Sequence, residues 1–430
     1  MKIPRILIYE HPPINKDGIG KTLYAFFYNW SNKKLAQIYT VDLPIDEELC
    51  QYHYISETGG NAENTSEARE LRENKRNSRL FHILSNFAHS DLGTIFRSAK
   101  YLNMVKHDRS LEQWIDNFSP ECVFYGIGEN VQENLYILEL AKTRRLPLVL
   151  YVSDDYMTKW LEHKHFKGYA KKLYDTYKAS IDYASLMIVI SDKMEELYRK
   201  QFPSIDYLVA SNSAVCKRNL IDQNNDSEND KIVFSYTGNL GFGRWQMLSE
   251  FSKVIDKINR SQNEVTLYLE IYSQEKPAED ILNKITDQYS SYHTNVIGDE
   301  LDRVRINANV LLLVESFDSQ YESILSTALS TKVPEYLSYG KNIFAWAPDY
   351  AWSLDYLKSN NAAYCVSSPD IENNLYEYVN ELKAHRVEKY IENGNKLFDQ
   401  RHEFYNNANR FSEAINKAID AFCKDNTKGN

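Results

Sequence analysis

The chain has 430 residues, more than one hydrophobic core usually serves, so two domains of roughly 200 residues each are expected. A net charge of −10 provides no basic footprint for nonspecific nucleic-acid binding, and nucleic acid is excluded as the expected partner. Hydrophobic residues at 43% and charged residues at 26% describe an ordinary globular chain, while 32 tyrosines lift the aromatic share to 13%, which suits sugar-binding surfaces as well as plain packing.

Cys50, Cys122, Cys216, Cys365 and Cys423 are odd in number, widely spaced and without a C-x-x-C pair. They argue against a disulfide framework or a zinc site and for buried free thiols in a reducing cytoplasm. No segment has the order of regions that marks a signal peptide, and no apolar run approaches the roughly 18 residues that span a bilayer. The expected location is cytoplasmic.

Short apolar runs alternate with longer helical patterns. In chain order the first half offers strands at Ile6 to Tyr9, Cys122 to Tyr125, Leu148 to Val152 and Leu186 to Ile190. This alternation predicts a parallel sheet covered by helices on both faces. After the polar loop Asp222 to Asp230, the pattern restarts with Ile232 to Thr237, Val265 to Tyr272, Val310 to Val314, Ile343 to Ala347 and Ala363 to Val366. The fold class is therefore α/β, with two doubly wound, Rossmann-like domains. The junction is placed between Ala210 and Asp230. Residues 1–215 form the N-terminal domain and 216–410 the C-terminal domain; residues 411–430 form a helix and tail that cross back to the first domain, with the last residues, "KDNTKGN", frayed.

Ligands of such sheets collect beyond the C-terminal ends of the strands. The first strand runs through Glu10-His11-Pro12-Pro13-Ile14 into "NKDGIGKT", one glycine short of the phosphate-binding P-loop, with Asn15 where the first glycine belongs. The interposed prolines and the lack of an unambiguous acidic magnesium partner disfavour a nucleoside-triphosphate site. What remains is geometric: Gly18, Ile19 and Gly20 allow close backbone approach, and a helix start with apolar positions Leu23, Phe26, Phe27 and Trp30 favours an anion. A simple turn and helix cap is the alternative.

"IVFSYTGNLGFGRWQML" (Ile232 to Leu248) reads as strand, glycine loop and helix. Its glycines lack dinucleotide spacing, but Arg244 at the helix start can add a forked hydrogen bond to backbone donors that hold a phosphate. "STKVPEYLSYGKNIFAWAP" (Ser330 to Pro348) has Pro334 in a first helical turn, Gly340 as the stop, and a following strand. Lys332 and Glu335 then stand at the helix start, where a carboxylate can accept two hydrogen bonds from a ribose diol and a lysine can neutralise phosphate. An acid that merely favours the helix dipole is the alternative for Glu335.

These stretches together, with "ASLMIVISDKMEELY" before the linker, resemble the GT-B glycosyltransferases of the large retaining family 4 type over most of the chain; "K-x-x-E-Y-L-x-x-G-K" is the most specific piece. The resemblance implies two domains facing across a cleft. It also implies a nucleoside-diphosphate sugar bound by Gly238, Asn239, Arg244, Lys332 and Glu335, with Glu335 on the ribose and Gly18, Ile19 and Gly20 approaching from the other domain. Transfer to a glycan or lipid-linked glycan acceptor would retain anomeric configuration, with no obligatory metal or other cofactor, plausibly in bacterial surface polysaccharide synthesis.

The chain departs from that pattern in places. The family often has two glutamates eight positions apart, and with Glu335 as the second the first position holds Thr327, while Glu315 and Glu322 lie off register. Trp245 to Glu250 lack a second basic residue after Arg244, a role open to Lys332. Where the family often places a histidine, the strand "PLVLYVSDDY" ends in Ser153, Asp154 and Asp155. The two aspartates are candidate catalytic or acceptor-binding residues, with helix capping as the alternative. Lys159 to Lys178 mixes basic and aromatic residues and suits peripheral contact with an anionic membrane, as does the cluster Arg69, Arg72, Lys75, Arg76 and Arg79; a solvated face is the alternative for both. A non-catalytic sugar-nucleotide-binding subunit and a GT-B sugar-nucleotide epimerase remain open as alternative functions.

Overall fold

The computed structural model describes residues 3–9, 13–16, 20–40, 45–55, 90–107, 109–220, 230–261, 264–274, 276–294 and 296–428. The chain divides into two compact units, one made of Met1–Ala210 with Ala408–Asn430 and the other of Ser211–Asn407.

The first unit is built on seven parallel strands: β1 (Ile6–Tyr9), β2 (Leu35–Tyr39), β3 (Gln51–Tyr54), β4 (Cys122–Gly126), β5 (Leu148–Val152), β6 (Leu186–Val189) and β7 (Tyr207–Val209). Their order is β3-β2-β1-β4-β5-β6-β7. All-parallel sheets bury both faces, so strand residues pack alternately into two cores. Leu7, Tyr9, Val123 and Tyr125 enter one. Ile6, Ile8, Cys122 and Phe124 enter the other. Burial at these positions stabilises the unit by roughly 1.5–3 kcal/mol per large apolar side chain.

The final helix, Phe404–Lys428, runs through residues expected to fray, and its C-terminal part belongs to the first unit. Phe411 explains the attachment: it stacks on Phe26 at 4.8 Å between ring centroids and meets the edge of Phe27 at 5.1 Å. The cysteines are unpaired, but only Cys50 and Cys122 are buried; Cys216 and Cys365 are half-buried and Cys423 is exposed, which corrects the expectation of five buried thiols.

The described residues that flank residues 17–19 are held by the fold itself. Ile14 N donates to Gln37 Oε1 at 2.9 Å, and Tyr52 OH donates to Ile14 O at 3.0 Å. The chain doubles back so tightly that a Cβ on Gly20 would lie 2.2 Å from Pro13 O and 2.6 Å from Asn15 N. Only glycine fits there. The helix that follows is six residues long, Lys21–Phe26, so Phe27 and Trp30 lie in the turn beyond it and not on its face.

Asn130 caps the helix Val131–Thr143 by accepting from the backbone of Gln132 and Glu133. Glu133 itself is pushed up from the ordinary 4.5 to about 7, chiefly by burial and against hydrogen bonds from Tyr125 and Asn130. The folded carboxyl then holds a proton that the unfolded chain releases, so stability falls as pH rises from about 4.5 to about 7. Glu133→Gln is expected to raise Tm at pH 8 and to leave it nearly unchanged at pH 4, as thermal denaturation at the two pH values checks.

The second unit has six parallel strands: β8 (Lys231–Thr237), β9 (Thr266–Ser273), β10 (Ser290–Thr294), β11 (Val310–Val314), β12 (Asn342–Trp346) and β13 (Tyr364–Val366). The order is β10-β9-β8-β11-β12-β13. The direction of winding reverses between β8 and β11, the switch point at which such sheets open a crevice beyond their C-terminal ends. Phe234, Leu269 and Leu312 fill the core on one face, and Leu311, Leu313 and Ala345 that on the other.

Candidate functional site

The switch point of the second unit gathers most of the charged residues singled out from the sequence. β8 ends at Thr237, and the loop Gly238 to Gly243 leads into the helix Arg244–Ser261. Gly238 has φ +155°, and a Cβ on it would lie 2.4 Å from Lys332 Cε. The glycine is therefore the space through which the lysine passes. Phe242, a non-glycine residue at φ 54°, adopts a left-handed conformation of the kind that costs about 1–3 kcal/mol and recurs at functional sites. Its ring lies 5.3 Å from the Arg244 guanidinium.

Arg244 is buried and engaged. Its Nε donates to Glu315 Oε2 at 2.8 Å and its Nη1 to Asn239 Oδ1 at 2.8 Å. Glu315 follows β11 directly and is 1% exposed, with its backbone N bonded to Trp346 O at 3.1 Å. The expectation of an arginine offering its whole fork to a phosphate is thereby narrowed, because two of its edges are already used inside the protein.

Lys332 opens the short helix Lys332–Leu337 and is 6% exposed. Its Nζ lies 5.2 Å from the centroid of the Tyr236 ring, and the described residues supply it with no ion pair or hydrogen bond. Burial first and the nearby Arg244 charge second push the ammonium down from the ordinary 10.5 to about 8, while Glu315 and Glu335 act in the opposite direction.

Glu335, three residues later, accepts from Arg305 Nη2 at 2.8 Å. Arg305 Nε in turn donates to Thr237 Oγ1 at 3.0 Å. Tyr336 completes the frame: Thr237 N donates to its hydroxyl at 3.0 Å. Three cations, Arg244, Arg305 and Lys332, thus meet two carboxylates, Glu315 and Glu335. Of the three cations, Lys332 is the one whose pKa falls, chiefly through burial, to about 8.

Gly238, Asn239, Arg244, Lys332 and Glu335 are thus brought together. Two members were missed as partners. Glu315 was noted only as off register, although its place immediately after the apolar run Val310 to Val314 marks a strand end. Arg305 carries no local signal, since its partners Thr237 and Glu335 are 68 and 30 residues away.

In the first unit, Gly20 has the packing role already described, and Gly18 and Ile19 lie outside the described residues. Asp155 accepts from Thr158 N at 3.1 Å, capping the helix Tyr156–Glu162, and from Tyr198 OH at 3.0 Å. Asp154, exposed at the end of β5, accepts from Ser153 Oγ at 3.2 Å. Within the stretch from Lys159 to Lys178, Lys159 meets Glu129 at 3.4 Å, Lys171 meets Asp175 at 2.6 Å and Lys178 meets Asp182 at 2.6 Å. Lys164, Lys167 and Lys172 are also exposed. The second basic cluster, Arg69 to Arg79, lies outside the described residues. No helix among the described residues is long and apolar enough to cross a membrane.

No protein-family model and no curated protein sequence matches the chain. Solved structures do. An α,α-trehalose-phosphate synthase (UDP-forming) from Burkholderia xenovorans in complex with glucose-6-phosphate is 9% identical at a TM-score of 0.57, covering 96% of this chain and 100% of that one. WaaG, a glycosyltransferase involved in lipopolysaccharide biosynthesis, is 11% identical at a TM-score of 0.54, covering 95% and 99%. An E. coli structure described as trehalose-6-phosphate bound with UDP-2-fluoro glucose is 9% identical at a TM-score of 0.55, covering 96% and 98%. At these identities the likeness establishes the fold: two parallel-sheet α/β units of the GT-B architecture.

Proposed function

We propose that the chain is a glycosyltransferase that takes a sugar from a nucleoside diphosphate and passes it, with retention of configuration, to a glycan acceptor in surface polysaccharide synthesis. The observation that carries the reading is Lys332, a buried ammonium that forms no ion pair or hydrogen bond among the described residues, placed beyond the switch point of the second sheet. A buried cation is costly unless paired, and a diphosphate supplies the missing partner. Arg244, held by Glu315 and Asn239, reinforces the positive field, and Glu335 accepts hydroxyls of the ribose. In the reaction these fixed charges stabilise the diphosphate as it departs, so no obligatory metal is invoked. The UDP-forming synthase and the glycosyltransferase among the matched structures support the class of reaction without naming this chain's sugar, base or acceptor.

The first unit is left for the acceptor, with Asp154 the exposed acid available to its hydroxyls. Peripheral contact with anionic lipid through residues 159–178 belongs to the same proposal; full recovery of the protein at the bottom of a flotation gradient with anionic vesicles would reject that part.

A thermal-shift screen of the full chain against UDP-, GDP-, dTDP- and CMP-linked sugars tests the donor assignment, because a ligand that binds only the native state raises Tm. Selective stabilisation by one nucleotide class is expected, and no shift with any of them would sink the proposal. Donor conversion without acceptor would indicate an epimerase instead, and binding without any turnover a non-catalytic subunit.

A further inference from the structure

We infer that Arg305 is a positioning residue that aims Glu335 at a ribose diol, making the site selective for ribonucleotide over 2′-deoxyribonucleotide donors; this rests on the reading of the second unit as the donor site. Arg305 lies on the helix Gly298–Asn307 and is 7% exposed, whereas Asp299, Glu300 and Arg303 on the same helix face solvent. A guanidinium is buried at a cost unless its donors are used. Here they join the end of one element to the start of another. Nε is fixed on Thr237 Oγ1, the last residue of β8, and Nη2 on Glu335 Oε2, in the first turn of Lys332–Leu337.

The planar fork makes this junction directional. Once Thr237 holds the Nε edge, the Nη2 donor points in one direction, and the carboxylate that receives it is oriented with it. The aromatic rings of Tyr336 and Tyr339 each stand 5.7 Å from the guanidinium carbon and leave it little room to turn. Lys217 takes the other nearby acid, Asp302, at 2.6 Å, which keeps Arg305 directed at Glu335.

Glu335 remains reachable, with its side chain 27% exposed. An ionised carboxylate only accepts hydrogen bonds and has about four acceptor positions, so the bond from Arg305 orients it without exhausting it. A vicinal diol presents two O–H donors to such a group, and a 2′-deoxyribose presents one fewer. A recognition site built to bond a hydroxyl discriminates against the analogue lacking it, because the polar group is left unsatisfied. Thymidine diphosphate sugars, as deoxyribonucleotides, fall on the rejected side.

The test is equilibrium binding of UDP and dUDP, GDP and dGDP, and ADP and dADP to the full chain and to Arg305→Gln, Thr237→Val and Glu335→Gln. Wild type is expected to prefer the ribonucleotide of its cognate base by about tenfold, the worth of one hydrogen bond to a charged group. Glu335→Gln should shrink that ratio. Arg305→Gln and Thr237→Val should shrink it too, by weakening the ribonucleotide more than the deoxyribonucleotide. Thr237→Val replaces a hydroxyl by a methyl of similar size, so it carries the test if Arg305→Gln does not fold. A ratio unchanged by both of those substitutions, or a wild type that binds without preference, overturns the inference. Absence of any nucleotide binding overturns the donor-site reading instead.

Discussion

Arg244→Ala is expected to destabilise the second unit by about 3–5 kcal/mol, the cost of leaving one member of a buried ion pair without the other. The orphan is Glu315, whose side chain is 1% exposed and whose partner Nε stands 2.8 Å away. Taken only as the phosphate contact that its place at a helix start suggests, Arg244 would matter to binding more than to folding. The geometry reverses that order. Replacing both residues, Arg244→Met with Glu315→Leu, removes the uncompensated charge and is expected to recover most of the stability, since apolar replacements of buried pairs are often neutral or better. Urea unfolding of the full chain separates the cases, and a single variant within about 1 kcal/mol of wild type would contradict the buried-pair argument. The double variant, although folded, should still bind nucleotide poorly.

Lys332→Met is expected to weaken nucleoside-diphosphate binding by about ten- to a hundredfold, the worth of a charge-assisted bond of ~1.5–3 kcal/mol, without loss of stability. The pH dependence makes the test specific. In the free protein the ammonium is lowered to about 8, and a bound diphosphate favours the charged form and draws it back up. Lys332 should therefore contribute no pH dependence to wild-type affinity below about pH 8 and a fall of up to tenfold per unit above it, as binding comes to require proton uptake. The methionine variant should show no such dependence from this position. The sign for folding is the opposite: a lysine depressed in the folded state makes stability rise as pH climbs from about 8 to 10.5, so removing it should hold or raise Tm at pH 7. A binding profile of identical shape in the two proteins would remove Lys332 from the site.

The central strands were legible because they are short, apolar on both faces and bounded by polar turns, as in Cys122–Gly126 and Val310–Val314. Leu35–Tyr39 escaped because Gln37 interrupts its apolar run; the glutamine is fully buried and spends its amide oxygen on Ile14 N, a bond invisible to periodicity. Gln51–Tyr54, Tyr207–Val209 and Ser290–Thr294 are edge strands, half-exposed and only three to five residues long, so they lack the apolar signature of their neighbours. At the site, residue types and strand ends lead to Arg244, Lys332 and Glu335, and the family resemblance adds Asn239. What the chain could not reveal was who holds whom: that Arg244 is committed to Glu315 and that Arg305 reaches both Thr237 and Glu335, contacts set by the tertiary fold. The cap formed by Asp155 is local, and an aspartate just before a helix offers it as one of two readings.

Titration calorimetry of the stabilising nucleoside diphosphate against wild type, Lys332→Met and Glu335→Ala at pH 7 bears most directly on the donor site. Both variants, shown folded by circular dichroism, should bind at least about tenfold more weakly than wild type. Equal affinity in all three proteins would contradict the placement of the nucleotide at the switch point of the second sheet.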